Sequence, residues 1–321
     1  MNNLMITGAT GFVGSALLRY LMSSSNFKIR ACVRGADVSL GSGVEIFPVG
    51  DYSANTNFEA ALDRINVVIH TAARVHVMKD MATDPLDEYR RVNVQATLNL
   101  ARQSANIGVK RFIFISSIKV NGEFSLLGKP FTENDIPAPV DPYGISKKEA
   151  EDALRKIASE TGMEVIVIRP PLVYGPGVKG NFITLMRWLS KGIPLPFGSI
   201  HNKRSFVSID NLIDLIVICI NHPKAANQIF LAGDGEDLST TDLIKKMGIA
   251  LGRPARLLPV PEWMLKGGAV LMRKPELALK LCESLQVDIS KSRILLGWRP
   301  SKCVDDTLWE TARSFIINSG K

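Results

Sequence analysis

The sequence predicts a doubly wound parallel α/β sheet followed by a smaller C-terminal α/β lobe, and three observations carry that expectation. Short continuous apolar runs alternate with longer stretches of helical period, a glycine-rich turn joins the first run to the first helix, and the texture changes after Arg169. Strands are predicted over residues 4–7, 28–33, 44–49, 67–71, 111–116, 165–169 and 228–232. Several are unbroken Val/Ile/Phe runs, as required of parallel strands covered on both faces. Helices are predicted over 12–22, 58–64, 85–107 and 143–161. Beyond Arg169, Pro170-Pro171, Gly175-Pro176-Gly177 and Ile193-Pro194-Leu195-Pro196 punctuate a loop-rich stretch, with helical texture returning near 243–251 and 264–282. The segment 206–221 and the strand at 228 are expected to return to the first sheet.

Composition bounds the partners. The 321 residues are 46% hydrophobic and 22% charged, which suits one large or two small globular domains. Met1-Asn2-Asn3 leads straight into Leu4-Met5-Ile6 without a basic region, and the aliphatic run 212–220 is short and contains Asp214. A signal peptide and stable membrane insertion are therefore not expected, and a cytoplasmic location is. Cys32, Cys219, Cys282 and Cys303 are scattered, with neither C-x-x-C spacing nor clustered histidines, so reduced thiols and no metal are expected. The net charge of +8 suits an anionic partner. Basic residues are not interleaved with aromatics in a patch, which argues against nucleic acid and leaves pyrophosphate-bearing small molecules.

Gly8-Ala9-Thr10-Gly11-Phe12-Val13-Gly14 reads G-x-x-G-x-x-G directly after the first strand and opens a helix. Such glycines permit a tight turn and let backbone N–H groups at a helix start meet a pyrophosphate. Gly8, Thr10, Gly11, Phe12 and Val13 are thus candidate dinucleotide contacts, and the fold expectation sharpens to a Rossmann type. At the end of the second strand stands Arg34, with no carboxylate before Asp37. An arginine there can pair with a 2′-phosphate, which favours NADP(H) and leaves NAD(H) open. Residues 1–170 are the expected dinucleotide-binding unit, with 206–232 returning to it; 171–205 and 233–321 are the expected substrate lobe.

Tyr143 and Lys147 form Y-x-x-x-K at the start of a predicted helix, so the ammonium can stand beside the phenol on one face. A nearby positive charge is expected to lower the tyrosine pKa and make it a usable acid/base. Ser116-Ser117 ends the fifth predicted strand, where open α/β sheets place their ligands.

Gly8 to Gly14, His70-Thr71-Ala72-Ala73, Asn93-Val94-Gln95-Ala96-Thr97, Ser116-Ser117, Pro142-Tyr143-Gly144-Ile145-Ser146-Lys147 and Arg169-Pro170-Pro171-Leu172-Val173-Tyr174-Gly175-Pro176-Gly177 occur in one order over nearly the whole chain. Together they resemble the NAD-dependent epimerase/dehydratase family of extended short-chain dehydrogenases. The resemblance implies a catalytic set of Ser117, Tyr143 and Lys147, with Lys147 also touching the nicotinamide ribose. It implies that Asp51 meets the adenine and that Tyr52, Thr71, Ala72, Ala73, Asn93, Pro170 and Val173 line the cofactor. On the substrate side it implies Val75, Ser117, Asn181 and Arg204, the last on a nucleotide-sugar diphosphate. A homodimer packed through the helices at 85–107 and 143–161 is implied as well. Blander readings stay open: His70 and Thr71 as strand-end core, Asn93 as a helix-packing amide, Arg204 as a surface charge.

Departures from the family pattern divide its chemistries. Dehydratases of this family carry Asp-Glu where this chain has Ile118-Lys119, and dehydration needs an acid and a base on neighbouring carbons. Val120-Asn121-Gly122 replaces the usual Val-Tyr-Gly, and Leu172 stands where a 4-epimerase offers Asn. The run from Ser116 to Glu123, with Pro130-Phe131-Thr132-Glu133, is similar to a bacterial subgroup that includes UDP-N-acetylquinovosamine dehydrogenase. These features favour a UDP-sugar 4-ketoreductase of surface-polysaccharide synthesis, acting on a UDP-4-keto-6-deoxy-N-acetylhexosamine. A UDP-hexose 4-epimerase (UDP-glucose or UDP-N-acetylglucosamine) is the alternative, and a non-catalytic dinucleotide-binding protein a further one.

Overall fold

The computed structural model describes residues 2–24, 26–35, 38–75, 84–272 and 275–319. In chain order it begins β1 (Asn2–Thr7), α1 (Phe12–Met22), β2 (Phe27–Val33), β3 (Val44–Pro48), α2 (Glu59–Leu62) and β4 (Val67–His70). Next, α3 (Pro85–Arg90) runs through a wide π-type turn at Arg91–Gln95 into α4 (Ala96–Ile107), followed by β5 (Arg111–Ile115), α5 (Pro142–Thr161) and β6 (Glu164–Arg169). Then come β7 (Leu172–Tyr174), α6 (Asn181–Ser190), β8 (Arg204–Ser208), α7 (Ile209–Asn221), β9 (Ile229–Leu231) and β10 (Asp237–Leu238). Helices α8 (Thr240–Ala250), α9 (Glu262–Leu271), α10 (Pro275–Cys282), α11 (Ser290–Leu296) and α12 (Val304–Ser319) complete the chain.

The main sheet has the order β3-β2-β1-β4-β5-β6-β9, parallel throughout. Its strands are apolar on both faces because each face has its own helical cover. Leu4, Ile6, Ile113, Ile115, Ile166 and Ile168 enter one core, with α1 and α7 residues such as Leu17 and Ile216. The alternate positions, Met5, Phe112, Phe114, Val165 and Val167, enter a second core with Leu100 and Leu154 of α4 and α5. The period-2 rule therefore operates with both phases hydrophobic. All seven predicted strands lie in this sheet.

Elements end where local backbone forces them to. The predicted helix at 58–64 shrinks to α2 because Asp63 leaves helical geometry and Arg64 takes a positive φ of 58°. The helical texture at 264–282 resolves into α9 and α10. Strand β8 pairs with β7 and β10 in a separate three-stranded sheet, although its Val207 still packs into the first core. A third core, including Tyr174, Phe182, Met186, Ile244, Met247 and Leu308, joins α6, α8 and α12 to that small sheet. Cys32, Cys219 and Cys282 are buried and Cys303 exposed, all as free thiols. Burial pushes Cys32 and Cys219 up to about 12, which makes them poor nucleophiles. Among the described residues no helix is long and apolar enough to cross a membrane, and no group of three or more His, Cys, Asp or Glu assembles a metal site.

The strand order turns at the β1–β4 junction, and Gly8 and Thr71 follow these strands at their carboxyl ends, the place where open parallel sheets receive ligands. Further along the chain Asn211 of α7 locks the C-terminal segment down. Its amide nitrogen donates to Asp234 at 2.7 Å and to the Lys302 carbonyl at 2.9 Å, and its oxygen accepts from the Ser301 and Lys302 N–H groups, each at 3.0 Å. Because the residue is fully buried, Asn211→Ala removes four hydrogen bonds from a site with no side chain to replace them. Urea unfolding should report a loss of about 3 kcal/mol.

Candidate active site

The glycine loop is built by close backbone contact. Gly8 has φ +70°, and a Cβ there would sit 2.6 Å from the Ala72 nitrogen. A Cβ on Gly14 would lie 2.1 Å from the Gly8 carbonyl oxygen. The loop closes through Gly11 N–H donating to Gly8 O at 2.9 Å, and α1 begins at Gly11 without a side-chain cap on its first turn. A helix start left uncapped beside glycines with no room for side chains fits a dinucleotide pyrophosphate. Thr71 braces this approach from β4, its hydroxyl donating to the Thr7 carbonyl at 2.6 Å. Tyr52 donates to the Cys32 carbonyl at 3.1 Å and lies near both the Gly8 backbone and Arg34. Arg34, at the end of β2, is exposed, as is Asp51, whose carbonyl accepts from Thr56. Asp37 lies outside the described residues.

Tyr143 and Lys147 sit in the first turns of α5. Asp141 caps this helix, accepting from Gly144 N–H at 2.7 Å, and Pro142 occupies its first position. Lys147 is 1% exposed, and its ammonium donates to the Ile115 carbonyl at 2.8 Å and lies 4.4 Å from the Phe114 ring centroid. Burial drives it down to about 7, with Glu151 working against the fall. The Ser117 side chain hydrogen-bonds the Tyr143 phenol, so the structure brings the three expected catalytic residues together. The tyrosine differs from expectation. Burial, then Asp141 and Tyr89, push its phenol above the ordinary value, and only Ser117 opposes them. The lowering expected from Lys147 is absent because that ammonium stands 5.9 Å from the ring centroid, is held by Ile115, and is itself discharged by burial.

Neighbouring residues take structural parts. His70 bridges Thr7 at 2.7 Å and Thr97 at 2.9 Å and stacks on Phe114; burial and the Lys147 charge hold it neutral, down to about 3. Asn93, on the wide turn before α4, accepts from Arg74 N–H at 2.8 Å and donates to the Arg74 carbonyl at 3.1 Å and to Ser146 at 3.0 Å. It thereby clamps the segment after β4 to α5. Tyr89 meets the Tyr143 ring edge-on at 6.2 Å. Ile118 is buried, and Lys119 pairs with Asp141 and Glu123, so no acid occupies the dehydratase positions. Pro170 accepts Ile118 N–H at 3.0 Å, and Val173 packs into the first core. Val75 is 58% exposed. Asn181 opens α6 as an exposed residue, and Arg204 of β8 donates to the Glu283 carbonyl at 3.0 Å.

The family model described as NAD dependent epimerase/dehydratase matches residues 4–233. The chain belongs to this family. A UDP-glucose 4-epimerase of Vibrio cholerae is 51% identical to it over 315 residues, spanning 98% of this chain and 95% of that one. The dTDP-4-dehydro-6-deoxyglucose reductase of Escherichia coli is 26% identical over 98% of this chain and 97% of its own. Among solved structures, the UDP-glucuronic acid 4-epimerase of Bacillus cereus, in complex with NAD, aligns with a TM-score of 0.80 at 24% identity, covering 98% of this chain and 96% of that one. At that identity the likeness is one of fold. The protein is an enzyme of the extended short-chain dehydrogenase type.

Of two departures read from the sequence, one changes weight in this family member and one stands. Asn121 is buried, accepting from Arg169 at 2.9 Å and donating to the Thr132 carbonyl at 2.7 Å, so its identity answers to the core. Leu172 is 44% exposed at the start of β7 and stands as a departure. Sequence reasoning passed over Arg169 and Glu151, and for Glu151 a signal was present: Lys147, Ala150, Glu151, Leu154 and Ile157 share one buried helical stripe, into which two charges intrude.

Two measurements test the site. Gly14→Ala must shift the loop, and calorimetric titration should find nicotinamide dinucleotide binding weakened about tenfold or more. The Lys147 pKa falls on folding, so from about 10.5 down to about 7 the unfolded chain holds a proton that the folded one releases. Stability from this group is present above the upper value and lost as pH falls toward the lower. Lys147→Met should therefore raise the melting temperature most near pH 7, with the gain shrinking toward pH 10.

Proposed function

We propose that this enzyme interconverts the C4 epimers of a UDP-hexose, as a UDP-glucose 4-epimerase. The observation that carries the reading is the 51% identity to the Vibrio cholerae epimerase along nearly the whole of both chains. The sequence had favoured 4-keto reduction, but Asn121, one support for that preference, is a buried structural amide. A bound nicotinamide dinucleotide supplies the acceptor and donor of the C4 hydride. In this reading Ser117 holds the C4 oxygen, Tyr143 takes and returns its proton, and Lys147 holds the ribose and adds positive charge when protonated. Inversion at C4 requires hydrogen to leave one face and return to the other, so the ring must turn while its diphosphate end stays held. Arg204 and Asn181 are the proposed holders of that end, with Val75 beside the sugar. The glycine loop with Asp51, Tyr52, Thr71, Ala72, Ala73, Pro170 and Val173 is the proposed dinucleotide lining, and Asn93 acts through the Arg74 backbone.

The same reading divides the chain into a cofactor unit, 1–170 with 206–232, and a substrate lobe, 171–205 with 233–321. It includes a homodimer through α3–α4 and α5. An epimerase regenerates its own cofactor, and retained NAD(H) suits that cycle. Leu172 and the exposed Arg34 favour the second reading, an NADPH-dependent 4-ketoreductase of polysaccharide precursor synthesis.

The purified protein should equilibrate UDP-glucose with UDP-galactose without added cofactor, followed by anion-exchange chromatography. Tyr143→Phe should slow it about 10²- to 10⁴-fold. Stoichiometric NADPH oxidation on a UDP-4-keto-6-deoxy sugar, with no epimerisation of UDP-glucose, transfers the assignment to the reductase.

A further inference from the structure

Glu151 and Arg169 are charged side chains sealed in the core, at 0% and 1% exposure. The guanidinium grips the carboxylate with two parallel bonds, Nε to Oε1 at 3.0 Å and Nη2 to Oε2 at 2.5 Å. Its Nη1 donates to Asn121, which in turn donates to the Thr132 carbonyl. Ser116 Oγ donates to Glu151 Oε1 at 2.5 Å. Well-packed apolar residues are often as stabilising as a buried ion pair, so stability alone is a poor reason for these charges. Their placement supplies a better one. Glu151 lies one helical turn beyond Lys147, and Ser116 and Asn121 bracket the turn that carries Ser117.

We propose that Arg169 and Glu151 are positioning residues of the catalytic set: the forked pair holds the Glu151 carboxylate one turn from Lys147 and, through Ser116 and Asn121, fixes the turn bearing Ser117 against Tyr143. The proposal rests on reading Ser117, Tyr143 and Lys147 as that set. The groups facing Lys147 are Tyr143 and Glu151 from α5, neutral His70 from β4, the Phe114 ring and Ile115 carbonyl from β5, and Arg169 of β6 behind Glu151. Of these, Glu151 carries the negative charge. A buried carboxylate needs a charged, hydrogen-bonded partner, and the Arg169 fork supplies it. The Glu151 charge favours the ammonium form of Lys147, so removing it lets the ammonium discharge at lower pH.

Glu151→Gln preserves length and an acceptor for Ser116 while removing the charge. In protein labelled with ¹⁵N at lysine Nζ, the Lys147 resonance is identified by its loss in Lys147→Met. Its titration in E151Q should move down by about one pH unit. The alkaline fall of kcat for UDP-hexose conversion should move the same way. Arg169→Lys keeps a positive charge but loses the fork, and should give a smaller shift in the same direction; it carries the test if circular dichroism finds E151Q unfolded. A folded variant with a lower melting temperature but unchanged Lys147 titration and alkaline limb overturns the proposal. If the wild type fails to turn over any UDP-hexose while the titration shift is present, the epimerase reading falls and the positioning role stands.

Discussion

The site depends on an ammonium buried under the carboxyl edge of a parallel sheet. Lys147 has a carbonyl, an aromatic face and a carboxylate one turn away as its surroundings, and burial discharges it to the edge of neutrality. Other features follow from keeping that group in place. The Asp141 cap and Pro142 fix where α5 begins, and so which residues fall on its buried stripe. His70, held neutral between two threonine hydroxyls, adds no second positive charge beside the ammonium. The Ile115 carbonyl is available because β5 ends there, and the chain turns immediately to present Ser117.

Much of the frame was legible because the physics writes it locally. Strands covered on both faces have no polar phase, so β4, β5 and β6 stand out as unbroken apolar runs. The glycine loop was legible because Gly8 and Gly14 leave no room for a Cβ, a constraint expressed directly as glycine. The end of α2 was not legible, since it turns on a positive φ at Arg64, a residue type with no preference for it. Strands β7 and β10 were missed for another reason: at three and two residues they carry too little period to distinguish from loop.

The harder misreading concerned Asn121. A polar residue in place of an expected tyrosine beside the catalytic serine reads naturally as a change in substrate contact. In space its amide is spent on Arg169 and the Thr132 carbonyl, and the residue answers to the core. Arg169 was invisible for the complementary reason. Taken singly it resembles a charge at a strand end, and only its pairing with Glu151 across α5 and β6 reveals that it points inward. A sequence lists residue types at a site, whereas the direction a polar group faces depends on partners from distant segments.

The elements that carry the proposed acid–base set and those proposed to hold the diphosphate are different. Ser117, Tyr143 and Lys147 come from the end of β5 and the start of α5, braced by both cores of the main sheet. Asn181 and Arg204 come from α6 and β8, which pack around the third core and the small sheet. Proton transfer needs a donor fixed to within a fraction of an ångström, and the main sheet supplies that rigidity. Inversion needs a sugar ring that can turn about a tethered end. In the proposed epimerase, a rigid set on one sheet and an arginine on another separate those two demands, so the ring would reorient without loosening the groups that act on it.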